Sequence, residues 1–319
     1  MSTAESLQKN TNSWLRILTI VAHIASLIVA IIVANNIGSK YPRHDLMTDV
    51  IDVKSGTVKE SVATIKRLEA PVMQVVSDSV VLLTSVLLLL RDLDFKMVKG
   101  CLDYSRKDAQ GWATSFLHVA SYGFTSFIST LMVYTFFGGK SFMVALILFI
   151  STFAAELSKH MNELNDNAQL NTLLGLIGAL PLAQVLVIMI LTISNSEESE
   201  GGLLFVTYII AVAVKLAHEF LHSMSEVWKT NFDRRQVHMI LDIAIKGGLA
   251  WCVITREMSL SGDPHDVGAD GWADAMPIVT IILTGLALVL AYFIPNDPRS
   301  DVEAPTGSLE ERSRMLQVA

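Results

Sequence analysis

The stretch Met239-Ile240-Leu241-Asp242-Ile243-Ala244-Ile245-Lys246-Gly247-Gly248-Leu249-Ala250-Trp251, which stays apolar to Thr255, sets one ammonium in the middle of a run of membrane-spanning character. An ammonium at mid-bilayer depth costs about 2.5–3.5 kcal/mol on insertion scales, so it persists there with a partner or a chemical task. Asp242 precedes Lys246 by four residues, one turn of an α-helix, and so shares its face in that geometry. The spacing therefore predicts a buried ion pair on a membrane helix, and everything outside it must be read in that setting.

Composition agrees. Of 319 residues, 51% are hydrophobic and 17% charged, with mean hydropathy +0.47, well above a soluble chain of this length. Eight mainly apolar runs recur: Ser13–Val33, Ala70–Leu90, Ala113–Phe136, Phe142–Leu157, Leu170–Ile193, Leu203–Met224, Val237–Thr255 and Met276–Ile294. Each approaches the length a helix needs to cross about 30 Å of hydrocarbon. None alternates with a two-residue period as barrel strands do, so the fold class is all-α: a polytopic bundle of seven helices, with an eighth at 276–294. The first run is read as a retained span, because Ser26 and Ala30 stand in no cleavage context.

Lysine and arginine counts orient the chain. With a cytoplasmic N-terminus, over residues 1–12, fourteen basic residues fall inside and eight outside. The six in the 36–69 loop count against this orientation, while the outer loops Glu197–Glu200 and Glu257–Asp274 are almost purely acidic. If the eighth run crosses, the polar tail at 295–319 returns to the cytoplasm. In the 36–69 loop, β-branched residues on either side of Ser55-Gly56 predict a small hairpin, with Lys59–Leu68 as a surface helix the alternative. Cys101 and Cys252 fall in a cytoplasmic loop and a span, so no disulfide is expected. The formal charge of −7, without a basic stripe, excludes nucleic acid as a partner. No metal site and no enzymatic reaction are expected.

Apart from His23 in the first run, six ionisable side chains lie inside predicted spans: Asp78, His118, Lys215, Glu219, Asp242 and Lys246, with Glu156 closer to an interface. Singly, each is as well explained by snorkelling or helix packing as by function; together they read as one shared electrostatic site. A buried lysine amine can condense with an aldehyde, and the protonated imine then needs an anion beside it, a part Asp242 can play. Lys215 competes for that role, with Glu219 four residues on. Lys215, His218, Glu219 and His222 share a helix face, and with Glu156, Lys159 and His160 form either a proton-accepting or anion-binding cavity or a self-paired polar helix end, with His23 a further proton or ion-path candidate.

Several stretches resemble the heliorhodopsins, retinal proteins whose N-terminus faces the cytoplasm. Leu68-Glu69-Ala70-Pro71-Val72 is similar to the opening of that family's second helix, and Phe205-Val206 with Tyr208-Ile209-Ile210 to the start of its sixth. Met239–Trp251 resembles the seventh helix with its retinal lysine, His23 a first-helix histidine, and Pro181 a fifth-helix proline. The matches run in order over residues 13–257. The resemblance implies a photosensory receptor holding all-trans retinal in the dark as a protonated Schiff base on Lys246, a possible homodimer, and an unidentified cytoplasmic signalling partner. Gly247 and Gly248 would leave room for the ligand, and Phe116 and Trp251 would line it.

The chain departs from the family in its anion. The third helix carries no acid at the usual counterion position: aligned on Trp112 it has Thr114, aligned on Phe116 it has His118. Asp242 stands where the family carries serine. Asp242 is therefore the expected counterion, His118 its partner in that region, and Asp78 a second anion towards the same cavity. Light-driven or light-gated ion transport is the alternative output, along Asp78, Asp242, Glu219 and Glu156. A transporter or channel without chromophore, using the same buried charges, is the rival from another class.

Overall fold

The structure, a computed structural model, describes residues 3–37, 41–51, 55–92, 109–164, 168–195, 206, 210, 239–260 and 270–293. In chain order these give α1 (Thr3–Ile37), β1 (His44–Ile51), β2 (Val58–Leu68), α2 (Ala70–Asp92), α3 (Ala109–Phe136), α4 (Phe142–Leu164) and α5 (Ala168–Ser194). A π-helical segment, Asp242–Leu249, then runs directly into α6 (Ala250–Leu260), and α7 (Asp270–Phe293) follows. The π segment and α6 together are called the lysine helix below.

Four helices are long and apolar enough to cross a membrane: Trp14–Asn36, Ala70–Leu90, Leu173–Ser194 and Gly271–Ala291. Phe142–Ser158 is a shorter apolar helix. Side-chain placement marks the setting as lipid. Ile281 and Leu180 are each 70% exposed, whereas Asp78, Gln74 and His23 are at most 1% exposed. A helical protein that turns large aliphatics outward and polar groups inward is built for a surrounding without water. The described part is thus mostly helical and membrane-type, as expected, while the predicted sixth run, 203–224, lies outside the described residues except for Val206 and Ile210.

Each helix starts or packs for a local reason. Pro71 occupies the first turn of α2, where its missing N–H costs nothing. In α3, residues 128–136 are all buried, which makes it a central element. Its hydroxyls are satisfied within the helix, Thr125, Ser129, Thr130 and Thr135 each donating to the carbonyl four residues back. In α5, Pro181 is accommodated inside the helix, and the side chains at Leu176, Ile177, Leu180, Val187 and Leu191 face outward. The inward side of α7 runs Ala273, Met276, Thr280, Ala287, Ala291, with Ile278, Ile281, Ile282 and Leu288 outward. Small residues let this helix sit closely against α1 and the lysine helix.

The loop after α1 forms the expected hairpin, with a longer second strand. β1 and β2 pair antiparallel from His44–Leu68 to Ile51–Val58, and Gly56 supplies the positive φ of 67° at the turn. Lys59–Leu68 is therefore strand and not a surface helix: Val58, Val62 and Ile65 carry the β-branched content that ladder pairing favours. The hairpin is tied down at three places. Met47 N–H donates to the Lys140 carbonyl at 2.6 Å in the α3–α4 turn; His44 Nε2 meets Glu257 Oε1 at 2.8 Å near the end of α6; Arg43 Nε meets Glu69 Oε1 at 2.6 Å at the head of α2.

The α3–α4 turn has no slack. A Cβ on Gly139 would lie 2.4 Å from the Tyr134 ring, and that ring is buried. Gly139→Ala is expected to destabilise the protein by about 1–3 kcal/mol, the usual cost of overpacking. A lowered unfolding temperature in detergent is the check, and an unchanged one would contradict the packing described.

Candidate functional site

The polar interior gathers around α1, α2 and the lysine helix at mid-depth. Eleven residues separate Lys246 from Glu257, about 16 Å of helix and roughly half of the ~30 Å hydrocarbon thickness. Lys246 is 3% exposed, and its Nζ lies 4.2 Å from the centre of the Tyr122 ring on α3. An ammonium at that distance over an aromatic face gains electrostatic attraction that is stronger the less water surrounds it. Lys246 falls within the π segment, where the hydrogen bonds run from i to i+5. Such segments interrupt α-helices frequently at functional sites.

One network joins the three helices. Asp78 of α2 is fully buried; its Oδ1 accepts from His23 Nδ1 at 2.7 Å and from Gln74 Nε2 at 2.9 Å, and its Oδ2 accepts from Ser26 Oγ at 2.5 Å. Ser26 Oγ in turn accepts the indole N–H of Trp251 at 2.8 Å. Gln74 Nε2 also lies 3.1 Å from the Lys246 carbonyl oxygen. The α2 acid, the α1 histidine and the backbone of the lysine are thereby linked through one amide. His23 Nε2, Gln74 Oε1 and Ser77 Oγ are buried and have no hydrogen-bond partner among the described residues. That leaves the network with capacity for further hydrogen bonds, as polar interiors that hold water or protons have.

The structure thus brings together His23, Asp78, Trp251 and Lys246 from the sequence-predicted set. Glu156, on α4, is buried at 5% exposure. Phe116 and His118 lie on the α3 backbone and Asp242 opens the π segment, but their side chains lie outside the described residues, as do those of Lys159 and His160. Lys215, His218, Glu219 and His222 lie outside the described residues altogether.

Asp242 and Lys246 stand four apart within the π segment, and the Asp242 side chain lies outside the described residues. One sequence expectation changes. Gly247 and Gly248 do not leave room for a ligand: a Cβ there would lie 3.1 and 3.4 Å from Thr280 Cγ2 of α7, so the glycines admit the neighbouring helix. Four members of the site were missed, Ser26, Gln74, Tyr122 and Thr280. Gln74 and Asp78 stand four apart on a mainly apolar helix, as Ser26 stands three after His23, and that spacing was the available signal.

A second polar group caps the site on the hairpin side. Glu257 is 3% exposed and pairs with His44, and Tyr41 places its hydroxyl 3.5 Å from the Ile254 carbonyl oxygen. Burial first, and then the nearby Glu257 carboxylate, hold the Tyr41 phenol well above its usual pKa, so it remains neutral. Among the described residues no group of three or more His, Cys, Asp or Glu is placed to hold a metal ion. Set against protein-family models, curated proteins and solved structures, the chain matches none of them.

Proposed function

We propose that this protein is a light-absorbing retinal protein of heliorhodopsin type, a photosensory receptor in which Lys246 holds the chromophore. The observation that carries the reading is the Lys246 amine itself: buried at mid-depth, on a π-helical interruption, against the Tyr122 ring. A primary amine is the one protein group that forms an imine with an aldehyde. The resemblance of Met239–Trp251 to the family's lysine helix supports the same residue.

The residues present fit retinal in their chemistry. Retinal supplies the absorption of visible light and a change of double-bond geometry. Lys246 would hold it, with the Tyr122 ring beside the amine, and Trp251 is fixed by its hydrogen bond to Ser26. The His23–Asp78–Gln74 network lies one amide away from the lysine backbone and can register a change in charge there. Asp242 remains the proposed counterion. Asp78, proposed as a second anion, accepts hydrogen bonds at both its oxygens.

The topology proposed with this function has seven crossings and a further one at α7, the N-terminus in the cytoplasm. The hairpin touches the α3–α4 turn and the end of α6, so the outgoing ends of α1, α3 and the lysine helix share one side. Seven alternating crossings require that arrangement, with 203–224 as the sixth.

The test is direct. Membranes carrying the full chain are mixed with all-trans retinal; a visible absorption band, and after borohydride reduction a retinyl mass on the peptide holding Lys246, are expected. Colourless membranes would leave a chromophore-free transporter as the better account, and an adduct on Lys215 would move the site to the sixth run. Photocurrents under voltage clamp then separate transport from sensing.

A further inference from the structure

We infer that Thr280 of α7 is a positioning residue for the Lys246 amine, so that the eighth helix is a working wall of the site and not an appendage. The inference rests on the reading of Lys246 as the reactive amine, and it goes further in assigning a part to a helix that the resemblance does not cover.

Three observations converge. Thr280 is 4% exposed, and its methyl carbon stands where a Cβ on Gly247 or Gly248 would come within 3.1 or 3.4 Å, so the two glycines next to Lys246 are in close contact with it. The Thr280 side chain is held in that orientation, because Oγ1 donates to the Met276 carbonyl at 2.8 Å. A threonine in a helix has two good χ1 states, and this bond selects one of them. Lastly, the contact falls on the π segment, where Lys246 lies immediately before the glycines. A π turn is a register with one more residue per hydrogen-bonded ring than its flanks, and it persists where neighbouring packing holds it.

The consequence is geometric. The direction of the Lys246 side chain is set by the rotation of the π segment, and that rotation is set on one side by the Gln74 amide on the Lys246 carbonyl and on the other by the Thr280 methyl on Gly247–Gly248. The lysine is thus held between α2 and α7. Removing either support, or thickening the contact, lets the segment turn and carries the amine away from the Tyr122 ring.

The test reads the amine without any chromophore. Purified full-length protein is treated with formaldehyde and cyanoborohydride, and methylation of Lys246 is followed by peptide mass spectrometry across pH, with exposed Lys140 as the internal reference. Slow labelling is expected for the native chain. Gly247→Ala, which drives a methyl into Thr280, should raise the Lys246 rate about fivefold or more and displace its pH profile, as overpacking opens the segment locally. Adding Thr280→Ser, which removes only the opposing methyl, should restore the rate to within about twofold, the mark of coupled neighbours. Thr280→Ala removes the contact without adding bulk and should raise labelling in the same direction by a smaller factor, so a poorly folding Gly247→Ala does not protect the inference. Unchanged Lys246 labelling in Thr280→Ala, or a Gly247→Ala effect that Thr280→Ser does not reverse, would overturn it. Because the readout needs no pigment, the positioning role stands or falls separately from the retinal assignment.

Discussion

Membranes containing Lys246→Arg are expected to stay colourless with all-trans retinal under conditions in which the native chain develops a visible band. A guanidinium keeps the positive charge and much of the length of the side chain, but it does not lose its proton in a protein and so cannot supply the nucleophilic nitrogen an imine needs. The substitution removes the chemistry while leaving a cation to face the Tyr122 ring, which an arginine also does well. Effects on folding should accordingly be smaller than those on colour, and expression level with unfolding temperature in detergent tells the two apart. Lys246→Met provides the complementary variant: no charge, similar apolar bulk, and again no pigment. A coloured Lys246→Arg protein would refute Lys246 as the attachment point, whatever the fate of the rest of the site.

Asp78→Leu should cost about 3–5 kcal/mol, the penalty for removing one partner of a buried charged group and leaving the others behind. Two scales bear on this. Hydrogen bonds between membrane helices average only about 0.6 kcal/mol in double-mutant cycles, so the His23 and Ser26 bonds to Asp78, taken as ordinary interhelical bonds, would account for only about 1 kcal/mol. The carboxylate, however, is 0% exposed and accepts from three donors at 2.5–2.9 Å. Its loss orphans His23 Nδ1 and leaves Ser26 and Gln74 short of a partner in an interior closed to bulk water. The larger scale should therefore prevail. Asp78→Asn, which keeps the shape and one acceptor oxygen, should cost less than half as much. Equilibrium unfolding in detergent micelles is the measurement, and an Asp78→Leu protein as stable as the native chain would show that the network is not a structural support.

How far the chain could be read before its fold was known depended on the range of the forces involved. Helix ends set by neighbours in sequence were legible: Pro71 places the head of α2 at Ala70, and Ser55-Gly56 places the hairpin turn. The burial of Lys246 was legible too, because apolar length alone puts its position deep in a span. Partners were not. His23 and Asp78 are 55 residues apart, and whether two side chains on different helices meet depends on the rotation of each helix about its axis, which a stripe of uniformly apolar residues hardly specifies. The π register was hidden for the same kind of reason, since periodicity arguments assume the α turn. The glycines misled because a missing side chain marks close approach without saying whether a ligand or a helix approaches.

The three ties of the β-hairpin have a mechanical side. Met47 to Lys140, His44 to Glu257 and Arg43 to Glu69 yoke the ends of α3, α6 and α2 to one small plate on the same face. A rod fastened at one tip and pushed halfway along swings widest at its free tip. A displacement starting at Lys246 would therefore be felt least at the plate and most at the opposite surface, where no such yoke exists among the described residues.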